Sequence, residues 1–193
     1  NRLGGIVGAV SEHLTFDVRY QTGLEIALGA SSQHIIVEDE QAATKAIDFL
    51  KRNRAGRATF LPLTTIKARS ISSQNQDVIA SSPGFLGMAD ELVTFDAKHE
   101  AIFKNLLATT AIFDTVEHAR DAARKVRYQV RMVTLDGTEL RTGGSYAGGA
   151  NRQNNSIFIK PELEQLQKEI AQEENLLRQE EENLKSVQEG LTA

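Results

Sequence analysis

The segment from Pro161 to Gly190 constrains the fold more than any other part of the sequence, because no glycine or proline interrupts it. Pro161 suits a first helical turn and Gly190 suits a helix end, so one continuous helix is predicted. At about 1.5 Å per residue, such a helix is a rod of roughly 45 Å. It is too long and too narrowly apolar to fold back as a core helix, so it needs a partner helix.

Apolar residues recur along this helix with heptad spacing. The residues repeated every seven positions are Leu163, Ile170, Leu177, Leu184 and Leu191. Leu166 and Val187 occupy two of the intervening d positions, whereas Glu173 and Glu180 occupy the other two. The pattern predicts a coiled-coil seam with gaps. The glutamates leave one alternative open, a solvated terminal helix lightly packed on the preceding domain.

Charge divides the chain at the same place. Residues 161–193 contain 9 Glu against 3 Lys or Arg, whereas residues 1–160 contain 19 basic and 17 acidic residues. We therefore expect a globular domain over 1–160 and a different object, the long helix, over 161–193. The 40% hydrophobic and 25% charged content is that of an ordinary globular protein, and no membrane span is predicted. The absence of cysteine excludes disulfide scaffolds, thiolate metal sites and cysteine nucleophiles.

Two strand-helix-strand patterns follow one another in the globular part. The first comprises a strand at 35–37, a helix at 40–53 and a strand at 58–62 that ends at Pro62. The second comprises a strand at 111–113, a helix capped by Thr115 and a strand at 130–135. We predict a mixed α/β fold of two related lobes, approximately 1–80 and 81–160.

Three further segments complete the predicted order of elements. Leu3 to Gly8 is predicted to be a strand, "TGLEIALGA" a short helix that ends at Gly29, and 156–159 another short strand. The serine-rich stretch at 70–92 is predicted to be an extended surface loop.

Glycines crowd the stretch "RTGGSYAGG", residues 141–149. It follows a predicted hairpin, in which Asp136-Gly137 joins two short strands. The stretch lacks the lysine of a phosphate loop, the spacing of a dinucleotide site and the second glycine of a nucleophile elbow around Ser145. Because glycine permits positive φ and close backbone approach, we expect an exposed sheet edge that packs on a partner chain. A flexible loop is the alternative.

No constellation of catalytic or metal-binding residues is evident. The histidines, His13, His34, His99 and His118, are widely separated and lack metal-ligand spacing. His99-Glu100 begins a zinc-protease pattern, but Phe103 stands where the second ligand is required. We therefore predict that this chain is not an enzyme.

Two groups of basic residues are candidates for contact with the DNA backbone. The first group is Lys51, Arg52, Arg54 and Arg57. The second is Arg120, Arg124, Lys125 and Arg127, with Arg131 nearby. Basic residues also favour helix C-termini and solvated faces, which is the competing interpretation of both groups.

Several motifs together resemble one family. The sequence contains, in order, "LGGIVGAVSEHLTFDVRYQTGLEIALGASSQHIIVED", "GRATFLPL", "GFLGMADELVTFD" and "VRMVTLDGTELRTGGSYAGG", followed by a predicted coiled coil. This combination resembles the hinge domain of bacterial structural maintenance of chromosomes (SMC) proteins over essentially all of 1–160. The residues between the glycine pairs, Ser145-Tyr146-Ala147, are more polar than in many members.

The resemblance implies a ring-shaped homodimer of two-lobed hinges. Gly143, Gly144, Gly148 and Gly149 match the family's interface motif, and Tyr146 lies between the pairs. The helix from residue 161 would be the returning arm of an antiparallel coiled coil, with its partner arm before Asn1. ATP and Mg²⁺ would belong to a head domain absent here, so no cofactor is expected in this chain.

The resemblance also implies a cytoplasmic, nucleoid-associated protein whose dimer closes a DNA-embracing ring in chromosome condensation and segregation. Weak DNA binding by the two basic groups would accompany that role. The rival hypothesis is a DNA-binding module in which the basic faces are primary and dimerisation is incidental.

Overall fold

The computed structural model describes residues 3–150 and 159–191, and the chain divides into two compact units, Asn1–Ile157 and Phe158–Ala193. The strands are Ile6–Ala9 (β1), Leu14–Phe16 (β2), Ile35–Val37 (β3), Phe60–Pro62 (β4), Phe85–Met88 (β5), Val93–Phe95 (β6), Thr110–Phe113 (β7), Arg131–Thr134 (β8), Glu139–Leu140 (β9) and Tyr146–Ala147 (β10). The helices are Gln21–Leu28 (α1), Glu40–Arg52 (α2), Ser73–Ala80 (α3), Glu100–Leu107 (α4), Val116–Lys125 (α5) and Ile159–Leu191 (α6).

The strands form three sheets. One has the order β1-β3-β4 and another the order β10-β9-β8-β7-β5, while β2 pairs with β6. We call the part around the first sheet, residues 3–66, lobe 1, and the part around the second, residues 71–150, lobe 2. In each lobe a helix joins two parallel strands, α2 between β3 and β4 and α5 between β7 and β8. The predicted mixed α/β fold with two strand-helix-strand patterns is thus confirmed.

The lobes are an internal repeat related by approximate twofold symmetry. "GIVGAVSEHLTFD" from residue 5 and "GFLGMADELVTFD" from residue 84 share 6 of 13 residues at a constant separation of 79 positions. At the junction of the lobes, β2 and β6 pair antiparallel, and Thr15 lies opposite its own counterpart Thr94. Antiparallel pairing of a segment with its own repeat places the local axis between these two threonines.

The predicted surface loop at 70–92 is wrong, because the segment contains α3, β5 and part of the lobe 2 core. The Ser72 hydroxyl accepts a hydrogen bond from the Asn75 N–H (3.2 Å) and caps α3. Ile79 is fully buried in the lobe 2 core. Ile71, Val78 and Phe85 pack against the same core, but polar residues and glycines separate these apolar residues, which is why the composition is that of a loop.

Other local predictions are confirmed. Gly29 ends α1 with φ +53, and Gly137, with φ +89, forms the turn between β8 and β9. Pro62 lies in β4 at a sheet edge, where a missing N–H is tolerated. The predicted strand at 156–159 lies mostly outside the described residues, and Ile159 is the first residue of α6.

The α6 unit is a single helix of 33 residues. Pro161 lies in its first turn, where backbone N–H groups have no intrahelical acceptor. From residue 168 onward every side chain is exposed, including the heptad residues Leu177 (61%) and Leu184 (62%). This helix therefore presents an apolar stripe that is available to another helix.

Candidate dimer interface

The glycine stretch forms the outer edge of the five-stranded sheet. Gly143 and Gly144 lie in the turn between β9 and β10 with φ of +89 and +102, which favours glycine at both positions. Gly148 and Gly149 directly follow β10. All four glycines are exposed, and a Cβ added at Gly143 or Gly149 would meet nothing within 4 Å. Open space surrounds this edge in the single chain.

The backbone of β10 has one hydrogen-bonding side free. The Arg141 N–H donates to the Ser145 carbonyl (2.8 Å), so Ser145 faces β9. Because successive strand residues face opposite sides, Tyr146 directs its N–H and carbonyl to the outer edge. The Tyr146 side chain is 48% exposed. Tyr146 therefore offers both a backbone donor and a backbone acceptor to an additional strand.

Tyr128 braces this edge from within the same chain. Its hydroxyl is hydrogen-bonded to the Tyr146 hydroxyl (2.7 Å), and its carbonyl accepts the Gly143 N–H (3.0 Å). Arg127 and Tyr128 both have φ of +55, a conformation that costs a non-glycine residue about 1–2 kcal/mol. The hydrogen bond to Tyr128, together with partial burial, raises the pKa of the Tyr146 hydroxyl. The sequence does not indicate this role of Tyr128.

A second free edge lies in lobe 1, at β4. The Thr59 carbonyl accepts from the Ile35 N–H and the Leu63 N–H donates to the Val37 carbonyl, both at 2.9 Å. The alternate residues, Phe60 and Pro62, therefore direct their backbone groups away from β3. Proline lacks an N–H, and the Pro62 carbonyl already accepts from the N–H groups of Thr65 (3.1 Å) and Ile66 (3.0 Å). The free edge therefore offers the N–H and the carbonyl of Phe60.

An apolar cleft of about 310 Å³ lies beside this edge. Its lining residues are Ile47, Leu50, Lys51, Gly56, Arg57, Ala58 and Thr59. Ile47 is 38% exposed although it is a large apolar residue. The sequence predicts an apolar face on α2 that includes Ile47 and Leu50, but it does not indicate that this part of the face is left open. The signal in the sequence for an open edge was Pro62, because proline occurs in strands chiefly at sheet edges.

The structure places the two basic groups at the ends of related helices. Lys51 and Arg52 occupy the last turn of α2, and Arg124 and Lys125 occupy the last turn of α5. Arg54, Arg57 and Arg127 are also exposed. The helix C-terminus alone favours cations at these positions, so the site prediction stays a prediction.

Two arginines of the second group have more specific surroundings. Arg120 is half-buried, and its Nε has no hydrogen-bond partner among the described residues. Arg131 is bound to the Glu139 carboxylate (3.1 Å) and to backbone carbonyls of α1. Both terminal nitrogens of the guanidinium donate within the chain, so Arg131 is not exposed for contact with DNA as Arg124 and Lys125 are.

The histidines are dispersed, and two of them lie where the lobes meet. His99 is 4% exposed, and its ring lies 5.2 Å from that of His13, edge to face. The Asp114 carboxylate is hydrogen-bonded to His118 Nδ1 (2.7 Å), and this bond is the main reason that the pKa of Asp114 is lowered. Across residues 3–150 and 159–191, no cluster of three or more potential metal ligands occurs. In the same residues, no helix has both the length and the apolar character that a bilayer span demands.

Comparison with known proteins shows where similar chains occur. The model of the SMC proteins Flexible Hinge Domain matches residues 3–123. The chromosome partition protein Smc of Bacillus subtilis is 45% identical over 189 residues, which cover 95% of this chain and 16% of the relative. The chain therefore spans about a sixth of the length of that curated relative.

Solved structures of hinge domains have the same fold. An asymmetric dimer of the Geobacillus stearothermophilus SMC hinge domain superposes with a TM-score of 0.80 at 40% identity, covering 91% of this chain and 71% of the other. The hinge domain of the Pyrococcus furiosus SMC protein gives a TM-score of 0.65 at 34% identity, covering 79% of this chain and 77% of the other.

Proposed function

This chain belongs to the SMC hinge domain family, and from that premise we propose that it joins two copies of itself through the free edges of β4 and β10. The observation that carries the proposal is that β4 and β10, two unlike terminal strands in the sheets of two related lobes, each have one unpaired side. Unpaired edges are prone to pairing with another chain unless they are covered. A strand from a second copy would cover each.

The internal repeat indicates that an additional strand would cover the β4 edge. In lobe 2, the edge of β8 is covered by β9, whose Leu140 is fully buried in the same core as Val126. In lobe 1, the corresponding edge is β4, and the corresponding apolar residues, Ile47 and Leu50, line the open cleft. A strand added to β4 would bury them as β9 buries Val126. The β10 strand of a second copy offers the backbone groups that this requires.

The positions of these two edges allow two copies to form a closed dimer. Each copy has one β4 edge and one β10 edge, so two copies form two identical contacts related by a twofold axis. The similar hinge domain of Geobacillus stearothermophilus SMC forms an asymmetric dimer, and this supports self-association of the present one. Glycines that flank β10 leave room for the approach of a second backbone.

The experiment compares two variants at one position. Tyr146→Pro removes the outward N–H of β10 without altering the groups that face β9, whereas Tyr146→Ala removes the same side chain and keeps the N–H. Sedimentation equilibrium over a wide concentration range should show a dimer of the unmodified chain, a weakened dimer for Tyr146→Ala and a monomer for Tyr146→Pro. A monomeric unmodified chain, or a Tyr146→Pro dimer as stable as that of Tyr146→Ala, would contradict the proposal.

The role of the whole protein is proposed from its relatives. Similar chains occur in proteins named for chromosome partition, so we assign this hinge to an SMC protein of the cytoplasm and nucleoid that closes a ring around DNA and hydrolyses ATP in separate head domains. The exposed apolar stripe of α6 would then pair with a second arm of the same protein, as in an antiparallel coiled coil.

Direct binding of DNA is the second candidate function. The exposed cations at the ends of α2 and α5 favour contacts with phosphates. Fluorescence anisotropy with a labelled duplex should then show salt-dependent binding that Arg124→Glu weakens. Unchanged affinity would leave dimerisation as the function of this chain.

A further inference from the structure

Arg131 links lobe 1 to the strand that precedes the glycine turn. Its Nη1 donates to the Ala27 carbonyl (2.8 Å), and its Nη2 donates to the Ile26 carbonyl (2.9 Å) and to the Glu139 carboxylate (3.1 Å). The side chains of Arg131 and Glu139 are 28% and 12% exposed. One guanidinium thus connects α1 of lobe 1 with β9 of lobe 2.

The contact with α1 suits arginine in particular. Ile26 and Ala27 lie in the last turn of α1, where carbonyls lack intrahelical donors and carry partial negative charge. A planar guanidinium donates to both carbonyls and to a carboxylate at once, whereas a lysine ammonium cannot reproduce that fork. The helix also lies close to β8, since a Cβ added at Gly23 would be 3.2 Å from the Thr134 carbonyl oxygen.

Glu139 connects the contacts of Arg131 with the β10 edge. Its second oxygen accepts from Arg141 Nε (2.6 Å), and the Arg141 backbone is bonded to Ser145 and Gly144 on the other side of the glycine turn. Partial burial acts to raise the pKa of Glu139, but hydrogen bonds from Arg141 and Arg131 outweigh it, so that pKa lies below its ordinary value. The carboxylate is therefore held in its charged, bridging form.

The internal repeat argues against a role common to both lobes. The β3–β4 and β7–β8 registers place Thr59 at the position in lobe 1 that Arg131 occupies in lobe 2. The parallel pair β3–β4 forms without an arginine at this position. The contacts of Arg131 are therefore not required for the strand pairing, and they serve a feature that lobe 1 lacks. What distinguishes lobe 2 is the β10 edge.

We propose that Arg131 is a positioning residue that fixes the angle between the β4 edge and the β10 edge, and thereby decides that two copies close on each other. The inference rests on the proposed function. Two unlike edges on one chain close into a pair only at one relative angle, and at other angles the same contacts propagate into open chains of copies. A rigid link between lobe 1 and β9 selects the closed form.

The test measures stoichiometry and folding separately. Arg131→Met keeps the aliphatic stem and removes all the donors, while Arg69→Met is the matched control, because Arg69 is an exposed arginine that belongs to neither lobe. Sedimentation velocity should show a single two-copy species for the unmodified chain and for Arg69→Met. For Arg131→Met we expect the dimer dissociation constant to rise about tenfold or more, with species larger than two copies at high concentration.

Each outcome separates the inference from its premise. An unmodified chain that is monomeric overturns the proposed function itself. A dimeric unmodified chain together with an Arg131→Met chain of the same stoichiometry and affinity overturns the inference alone. Should Arg131→Met fail to fold by circular dichroism, Glu139→Gln keeps the α1 contacts and weakens only the link to β9. It should shift the dimer in the same direction by a smaller factor, and an unchanged dimer would again overturn the inference.

Discussion

Lobe 1 and lobe 2 repeat one order of elements around β2 and β6, yet only lobe 2 extends its sheet beyond the last repeated strand. The edge of β8 is covered by β9 and β10 from the same chain, whereas the edge of β4 is open. Two short strands at the end of one repeat thus leave the other repeat with an open edge at β4. In the proposed function, the β10 strand of a second copy covers that edge.

The repeat is strictest where backbones approach each other. Gly5 and Gly84 both have φ of +80, and their carbonyls accept from equivalent N–H groups, those of Glu38 (2.8 Å) and Asp114 (3.0 Å). In lobe 2 the space above the glycine is filled by the Asp114–His118 pair, and in lobe 1 it is filled by Ala42. The two glycines therefore differ in what a side chain would displace.

The largest effect on stability should come from Gly84→Ala. A Cβ at Gly84 would overlap Asp114 and His118, with His118 Cβ at 2.7 Å, in a conformation already unfavourable for alanine. We expect a loss of about 3 kcal/mol in the free energy of unfolding, measured by urea denaturation. Gly143→Ala is the matched control, because Gly143 has φ +89 and nothing within 4 Å, and it should cost about 1 kcal/mol. Equal losses for the two variants would show that backbone strain, and not the packed pair, makes glycine necessary.

A smaller effect on stability, which appears only at acidic pH, should distinguish His99 from its lobe 1 counterpart Tyr20. Burial lowers the pKa of His99 and the nearby His13 and Lys98 add to this, while Asp96 opposes it. The unfolded chain, with a histidine pKa of about 6.5, then binds more protons than the folded chain, so stability is lost as the pH falls below about 6.5. His99→Tyr should lose less thermal stability between pH 7.5 and pH 5.5 than the unmodified chain does. If both chains lose the same amount, His99 is not the source of the acid sensitivity.

The smallest effect should come from the exposed pair on α4. Lys104 Nζ lies 2.9 Å from the Glu100 carboxylate, and the lobe 1 counterpart is a hydrogen bond from Gln21 Nε2 to Glu25 (3.3 Å). Exposed ion pairs contribute little because solvent screens them. Lys104→Gln should lower the thermal midpoint by about 1 °C at low salt and by less at high salt. A drop of several degrees would mean that Lys104 has a structural role beyond this pair.

Much of the fold follows from short-range sequence patterns. The apolar period of α2 and α5, the Asp136-Gly137 turn and the Gly29 helix end each depend on a few neighbouring residues, and the structure confirms them. The segment at 70–92 was predicted wrongly, because α3 packs on the lobe 2 core through only two adjacent apolar residues, Val78 and Ile79, among polar ones. The repeat at a separation of 79 positions is present in the sequence, but it lies before the two predicted strand-helix-strand patterns and not within them.

The sequence by itself determined the exposed glycine edge, because positive φ and the lack of a side chain are properties of single residues. It also determined the family, through motifs that are local in the chain. Only the tertiary structure decided that β4 is a second free edge, that Tyr128 braces Tyr146 and that Arg131 joins α1 to β9. Those facts depend on contacts between residues such as Ala27 and Arg131, which are 104 positions apart, and no local pattern encodes which distant backbone a side chain meets.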